Sequence, residues 1–232
     1  MGVKLMASWT DKEAIRTTLQ LRDEFKIKHF IETGTYKGTN TELYSNKFQI
    51  VSSCELVPVY CDIAKERLKD KKNVYIFNST SQAFLRKIRK LVSKDEIVFI
   101  YLDAHFYNKD LPKRDRFVVL KELRALRDFP NCIICIHDFD NGKFGHITYD
   151  DIPLNLELMK FELKRVNPKF KFYTNTECDI IKSGSEIGLK DDEEMKSTLE
   201  FIWSKPEKTY RGILYCIPRE VNLNKYKLRK IR

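Results

Sequence analysis

The chain has 232 residues, 42% hydrophobic and 33% charged, a balance that suits one α/β domain with a real core. No apolar run reaches the roughly 20 residues needed to cross a bilayer. The start, MGVKLMASWTDKEAI, lacks the apolar stretch of a secretion signal, so a cytoplasmic setting with reduced thiols is expected. The net charge of +10 asks for anionic company, nucleic acid included, or reflects lysine-rich solvated faces.

In chain order, Thr10 with Glu13 reads as a capping box that opens a helix. Lys28 to Glu32 is a strand, and Gly38 to about Asn46 a helix. A second strand runs from Gln49 to Glu55, and Pro58 opens a helix that reaches Lys71. Asn73 to Phe77 is a third strand, followed by a second capping box, Ser79 with Gln82. The uninterrupted apolar run from Ile97 to Leu102 predicts a central parallel strand covered on both faces. Asp115 to Arg127 is helical and Cys132 to Ile136 is another buried strand. Strand–helix alternation of this kind predicts a Rossmann-like, doubly wound, mostly parallel sheet in a single domain. Pro153 to Val166 then reads as a helix, with strands at Lys169 to Thr174 and Arg211 to Ile217. Residues 177–205 are polar with little periodicity and read as a lid or insertion, and residues 219–232 as a basic tail. Of six cysteines, Cys132 and Cys135 have the spacing of a metal or redox pair. A strand through them sends them to opposite faces, so they are read as small core residues.

Open parallel sheets bind ligands at the carboxyl ends of their strands, near the switch in strand order. Polar groups stand at each such end here: Glu32-Thr33-Gly34, Glu55, Asn78-Ser79, Asp103-Ala104-His105 and His137-Asp138. The turn Glu32 to Gly38 has the form E-x-G-x-x-x-G. Its glycines allow a sharp turn and close approach of a ligand, which the amides of the next helix then face. Glu55 lies 21 residues beyond Gly34, where a carboxylate can accept both hydroxyls of a ribose. An adenosyl ligand is the reading these residues share.

At these residues the chain resembles the class I S-adenosylmethionine-dependent methyltransferases. The resemblance implies S-adenosylmethionine as cofactor. It places Glu32, Thr33, Gly34, Thr35, Tyr36 and Gly38 in the first motif, Glu55 on the ribose, Asn78 and Ser79 around the adenine, and Asp103 at the methionine end. Leu102 to Tyr107 with Ile136 to Phe139 is similar to the macrocin O-methyltransferase-like sugar methyltransferases. That likeness implies Mg²⁺ held by Asp103 and Asp138, although His137 stands where that family tends to carry a further Asp. In a metal-free alternative His105 is the catalytic base, with His137 second. His29, early in its strand, is read as structural, and His146 lies in a loop able to cover an acceptor. The acceptor implied is a hydroxyl on a sugar or small molecule, with RNA ribose behind it. The rivals are a nicotinamide oxidoreductase, against which the missing glycine of the dinucleotide fingerprint counts, and a non-catalytic nucleic-acid-binding module using the basic tail.

Overall fold

In the computed structural model, which describes residues 8–104, 112, 116–149, 151–204 and 210–232, strands and helices alternate as the pattern requires. Behind α1 (Lys12–Phe25) come β1 (His29–Thr33), α2 (Thr39–Ser45), β2 (Ile50–Glu55), α3 (Pro58–Arg67), β3 (Val74–Asn78) and α4 (Ser81–Leu91). They are followed by β4 (Val98–Leu102), α5 (Val118–Ala125) and β5 (Cys132–Ile136). A small hairpin, β6 (Thr148–Tyr149) and β7 (Ile152–Pro153), precedes α6 (Leu156–Val166) and β8 (Lys171–Asn175). The described chain ends with α7 (Glu193–Ser204), β9 (Leu214–Ile217), α8 (Leu223–Tyr226) and β10 (Leu228–Ile231).

Eight strands form one sheet in the order β10-β8-β9-β5-β4-β1-β2-β3. The five strands from β1 to β5 pair in parallel. The joins of β5 with β9, β9 with β8 and β8 with β10 are antiparallel. Every residue of β1, β4 and β5 is buried, because helices cover both faces of the centre. Alternation splits CIICI between two cores: Cys132, Ile134 and Ile136 face one, Ile133 and Cys135 the other. All six cysteines are free.

Several boundaries differ from the sequence reading, each for a local reason. The α1 cap is Asp11, whose carboxylate accepts from the Glu13 amide, while Thr10 lies buried in a preceding 3₁₀ turn. Likewise Thr80, not Ser79, caps α4. Asn155 caps α6, because Pro153 is held in the hairpin. Residues 177–205 are not aperiodic: Met195, Leu199 and Ile202 line one face of α7 and are buried with Ile180, Ile181, Ile187 and Leu189.

The basic tail is also corrected. Residues 228–231 form β10, an edge strand beside β8, and the cations around it are taken up by ion pairs. Lys225 and Arg219 meet Glu24, Lys227 meets Glu13 and Glu177, and Lys230 meets Glu220. Among the described residues no helix is long and apolar enough to cross a membrane.

Candidate active site

The strand order reverses between β1 and β4, so a crevice opens there at the carboxyl edge. Register brings the expected residues to that edge. Thr33 lies opposite Cys54 and Leu102, Glu55 opposite Asn78, and Leu102 opposite Ile136. His105 lies outside the described residues.

The first turn is braced from beneath. Glu32 is buried and accepts hydrogen bonds from Asn40, Thr41 and Ser53. Burial pushes its carboxyl up to about 6, against the pull of those three donors. The Thr35 hydroxyl pairs with that of Ser53, and Thr33 accepts from the Asp103 amide through its carbonyl and its hydroxyl. Glu32, Thr33 and Thr35 therefore hold β1, β2, β4 and the start of α2 together under the turn.

Above this brace the backbone folds tightly. Gly34 (φ +85°) and Gly38 (φ +89°) are left-handed, and so is Tyr36 (φ +50°). A Cβ on Gly34 would lie 2.6 Å from the Asp103 carbonyl oxygen. Glycine is thus required where the turn crosses the end of β4. The Glu55 carboxylate accepts from the Tyr36 amide at 2.8 Å and from the Val57 amide at 2.8 Å. Each carboxylate oxygen keeps a further lone pair for a ligand hydroxyl. Asn78 donates to the Glu55 and Leu56 carbonyls, and the Ser79 amide to the Glu55 carbonyl, which locks the end of β3 to that of β2. Beside Glu55, Leu56 and Val57 stay exposed, and so does Tyr36, whose ring lies 4.6 Å from that of Tyr60.

On the other side of the crevice, Asp103, His137 and Asp138 bring one ligand atom each within 4.8 Å of one another. His137 Nδ1 lies 3.3 Å from Asp103 and 3.5 Å from Asp138. Asp138 is buried with a left-handed backbone (φ +55°), a strained geometry that concentrates at functional sites. Its Oδ1 meets Arg211 Nε at 2.9 Å. His29 sits at the amino end of β1, bonded to Ser52, and burial lowers its imidazole to about 4, as a structural histidine requires. His146 lies 3.6 Å from Asp140.

No family model and no curated protein sequence matches the chain. Among solved structures, it is similar to the plantazolicin methyltransferase BamL, solved with a triazolic desmethylPZN analog and SAH. The TM-score is 0.51 at 16% identity, covering 91% of this chain and 86% of that one. The chain has the class I S-adenosylmethionine-dependent methyltransferase fold. Spermidine synthase from Thermotoga maritima matches with TM-score 0.50 at 13% identity over 95% of this chain, which spans 65% of the synthase. Methyltransferase and synthase thus share one architecture, so the reaction must be argued from residues.

Among the described residues, the acid cluster is a poor donor set for Mg²⁺. That ion takes oxygen ligands in a near-octahedral shell, whereas one of the three donors is an imidazole and one carboxylate already faces a guanidinium. Arg211 has no signal in the sequence: it lies 73 residues beyond Asp138, and only the sheet order brings them together. Ser53, Asn40 and Thr41 were missed too. The one available hint is the Ser52-Ser53 pair inside a strand, where a small hydroxyl facing inward needs a polar partner.

Proposed function

We propose that this chain is a methyltransferase that transfers the methyl group of S-adenosylmethionine to a hydroxyl of a sugar or small molecule. The observation that carries the reading is Glu55, a carboxylate at the end of β2 pinned against the glycine turn of β1 at the switch point. Next to it, exposed Leu56 and Val57 offer an apolar wall of the kind an adenine face prefers. Gly34, Tyr36, Gly38, Asn78 and Ser79 complete the nucleoside side, with Glu32, Thr33 and Thr35 as the groups that position it.

The bound cofactor supplies an electrophilic methyl on a sulfonium. What remains for the protein is to align the acceptor oxygen with it and to remove the hydroxyl proton. Asp103 follows β4 directly, at the methyl-transfer side. His137 is buried between two carboxylates, a setting that suits positioning of Asp103 better than direct contact with an acceptor. His105 therefore remains our assignment for the base, and His105→Ala should lower turnover by roughly 10²–10⁴.

Calorimetric titration tests the cofactor assignment. S-adenosylmethionine should bind and NAD should not. Glu55→Ala should weaken binding by about 1.5–3 kcal/mol, the worth of hydrogen bonds to a charged group, with the fold intact by circular dichroism. Unchanged affinity in that variant, or preference for NAD, would remove the assignment.

A further inference from the structure

The acceptor side of the crevice holds a cation, Arg211, whose donors are only partly used among the described residues. Arg211 stands three residues before β9, and β9 runs antiparallel to β5 with Leu214 opposite Ile136. That register carries Arg211 past the carboxyl end of β5, over the crevice. Its Nε lies 2.9 Å from Asp138 Oδ1 as an ion pair, and its side chain is 22% exposed. Nη1 and Nη2 meet no partner among the described residues. A guanidinium presents five donors in a planar fork that matches a carboxylate or a phosphate. Here the Nε side faces a buried acid, and among the described residues the Nη edge meets no partner.

Position separates this fork from the cofactor. The guanidinium stands against Asp138 at the end of β5, and from β1 to β5 there are two strand spacings (β1, β4, β5), or about 10 Å at ~4.8 Å each. The nucleoside lies toward β2 and β3, so Arg211 falls beyond the methionine end, on the side where an acceptor must sit. Among the described residues, the two carboxylates of the crevice beside it already face cationic or imidazole nitrogens. Asp138 is the partner of Arg211 itself, and Asp103 faces His137 Nδ1 at 3.3 Å. A cofactor sulfonium would add a positive charge to the same crevice.

We infer that Arg211 is the residue that selects the acceptor, its Nη edge binding a carboxylate or phosphate carried near the hydroxyl to be methylated. The inference rests on the methyltransferase reading and narrows its acceptor to anionic hydroxylated compounds.

The test uses simple anions, so it does not depend on knowing the acceptor. Full-length protein saturated with S-adenosylhomocysteine is titrated with inorganic phosphate and, separately, with acetate, at constant ionic strength set by chloride. Binding is followed by the shift in melting temperature. Phosphate alone, acetate alone, or both should stabilise the wild type, and whichever does so identifies the anion. Arg211→Gln should weaken that binding at least about tenfold, while S-adenosylhomocysteine affinity stays unchanged. Arg211→Gln leaves Asp138 buried without its cation, so the doubly neutral Asp138→Asn/Arg211→Gln protein is measured beside it. It should fold and should likewise fail to respond. Equal stabilisation of wild type and both variants, or no response of the wild type to either anion, would overturn the assignment. Failure to bind S-adenosylhomocysteine at all would instead strike the underlying methyltransferase reading.

Discussion

Replacing Gly34 by Ala tests how the cofactor turn is built. The new Cβ would lie 2.6 Å from the Asp103 carbonyl oxygen, 3.0 Å from its carbon and 3.1 Å from Ala104 Cα. All three are backbone atoms, so no side chain can swing aside. The turn cannot retreat freely either, because the Gly34 and Thr35 amides both donate to the Cys54 carbonyl at 3.0 Å and the Asp103 amide donates to Thr33. The left-handed backbone adds about 1–2 kcal/mol for any residue with a Cβ, and overpacking adds about 1–3 kcal/mol. The expected loss is therefore roughly 2–5 kcal/mol in urea unfolding, together with loss of S-adenosylmethionine binding. Gly142→Ala is the matched control: its φ is +77°, yet nothing lies within 4 Å of a built Cβ, so only the backbone term of about 1–2 kcal/mol applies. If both variants lose the same stability, the approach of the β1 turn to β4 is not what demands glycine.

Two further outcomes follow from the buried charges. Methyl transfer should persist in EDTA, since Arg211 already faces Asp138; turnover lost to EDTA and restored by Mg²⁺ would show that the cluster takes a metal after all. Stability against pH should carry opposing contributions. Glu32 and Asp11 are raised to about 6 by burial, so the folded state holds their protons longer and their stabilisation is lost as pH rises through 6. His29 is lowered to about 4, so its contribution is present above about 6.5 and lost as pH falls toward 4. His29→Gln should therefore gain roughly 2–3 kcal/mol relative to wild type between pH 7 and pH 4.5, read from urea curves at both values. A difference that does not change with pH would mean that His29 does not titrate against folding.

The parallel half of the sheet was legible because each strand is a compact apolar run between turn signals, and Cys132 to Ile136 agrees to the residue. Helix starts were less so. Thr10 and Ser79 satisfy a capping-box pattern, but the carboxylate of Asp11 and the hydroxyl of Thr80 stand nearer the free amides. In α7 the spacing of Met195, Leu199 and Ile202 is helical, yet Asp191 to Glu194 and Lys196 give the segment the look of a surface loop. Cutting out 177–205 would thus remove core side chains, which makes deletion a poor probe of acceptor selection there. Strand β10 is only four residues long, too short for a two-residue period to stand out among its lysines and arginines. At the site, the residues at strand ends could be read from the chain, because topology alone delivers them to one edge. The pairings that determine their chemistry, Glu32 with Ser53 and Asp138 with Arg211, join different strands and loops and leave no local pattern.

The place of β9 bears on how the sheet assembles during synthesis. Strand β8 precedes β9 in the chain, yet β9 lies between β8 and β5. As the polypeptide leaves the ribosome, β1 to β5 can add one to another, each beside a strand already made. When β8 emerges it has no edge to join: β5 is reserved for a strand still untranslated, and β10 comes later still. Arg211 arrives just ahead of β9, so Asp138 waits for its guanidinium until the sheet can be closed. The nucleoside half of the crevice can thus be complete before the acceptor half exists, and the insertion of β9 is the step that joins them.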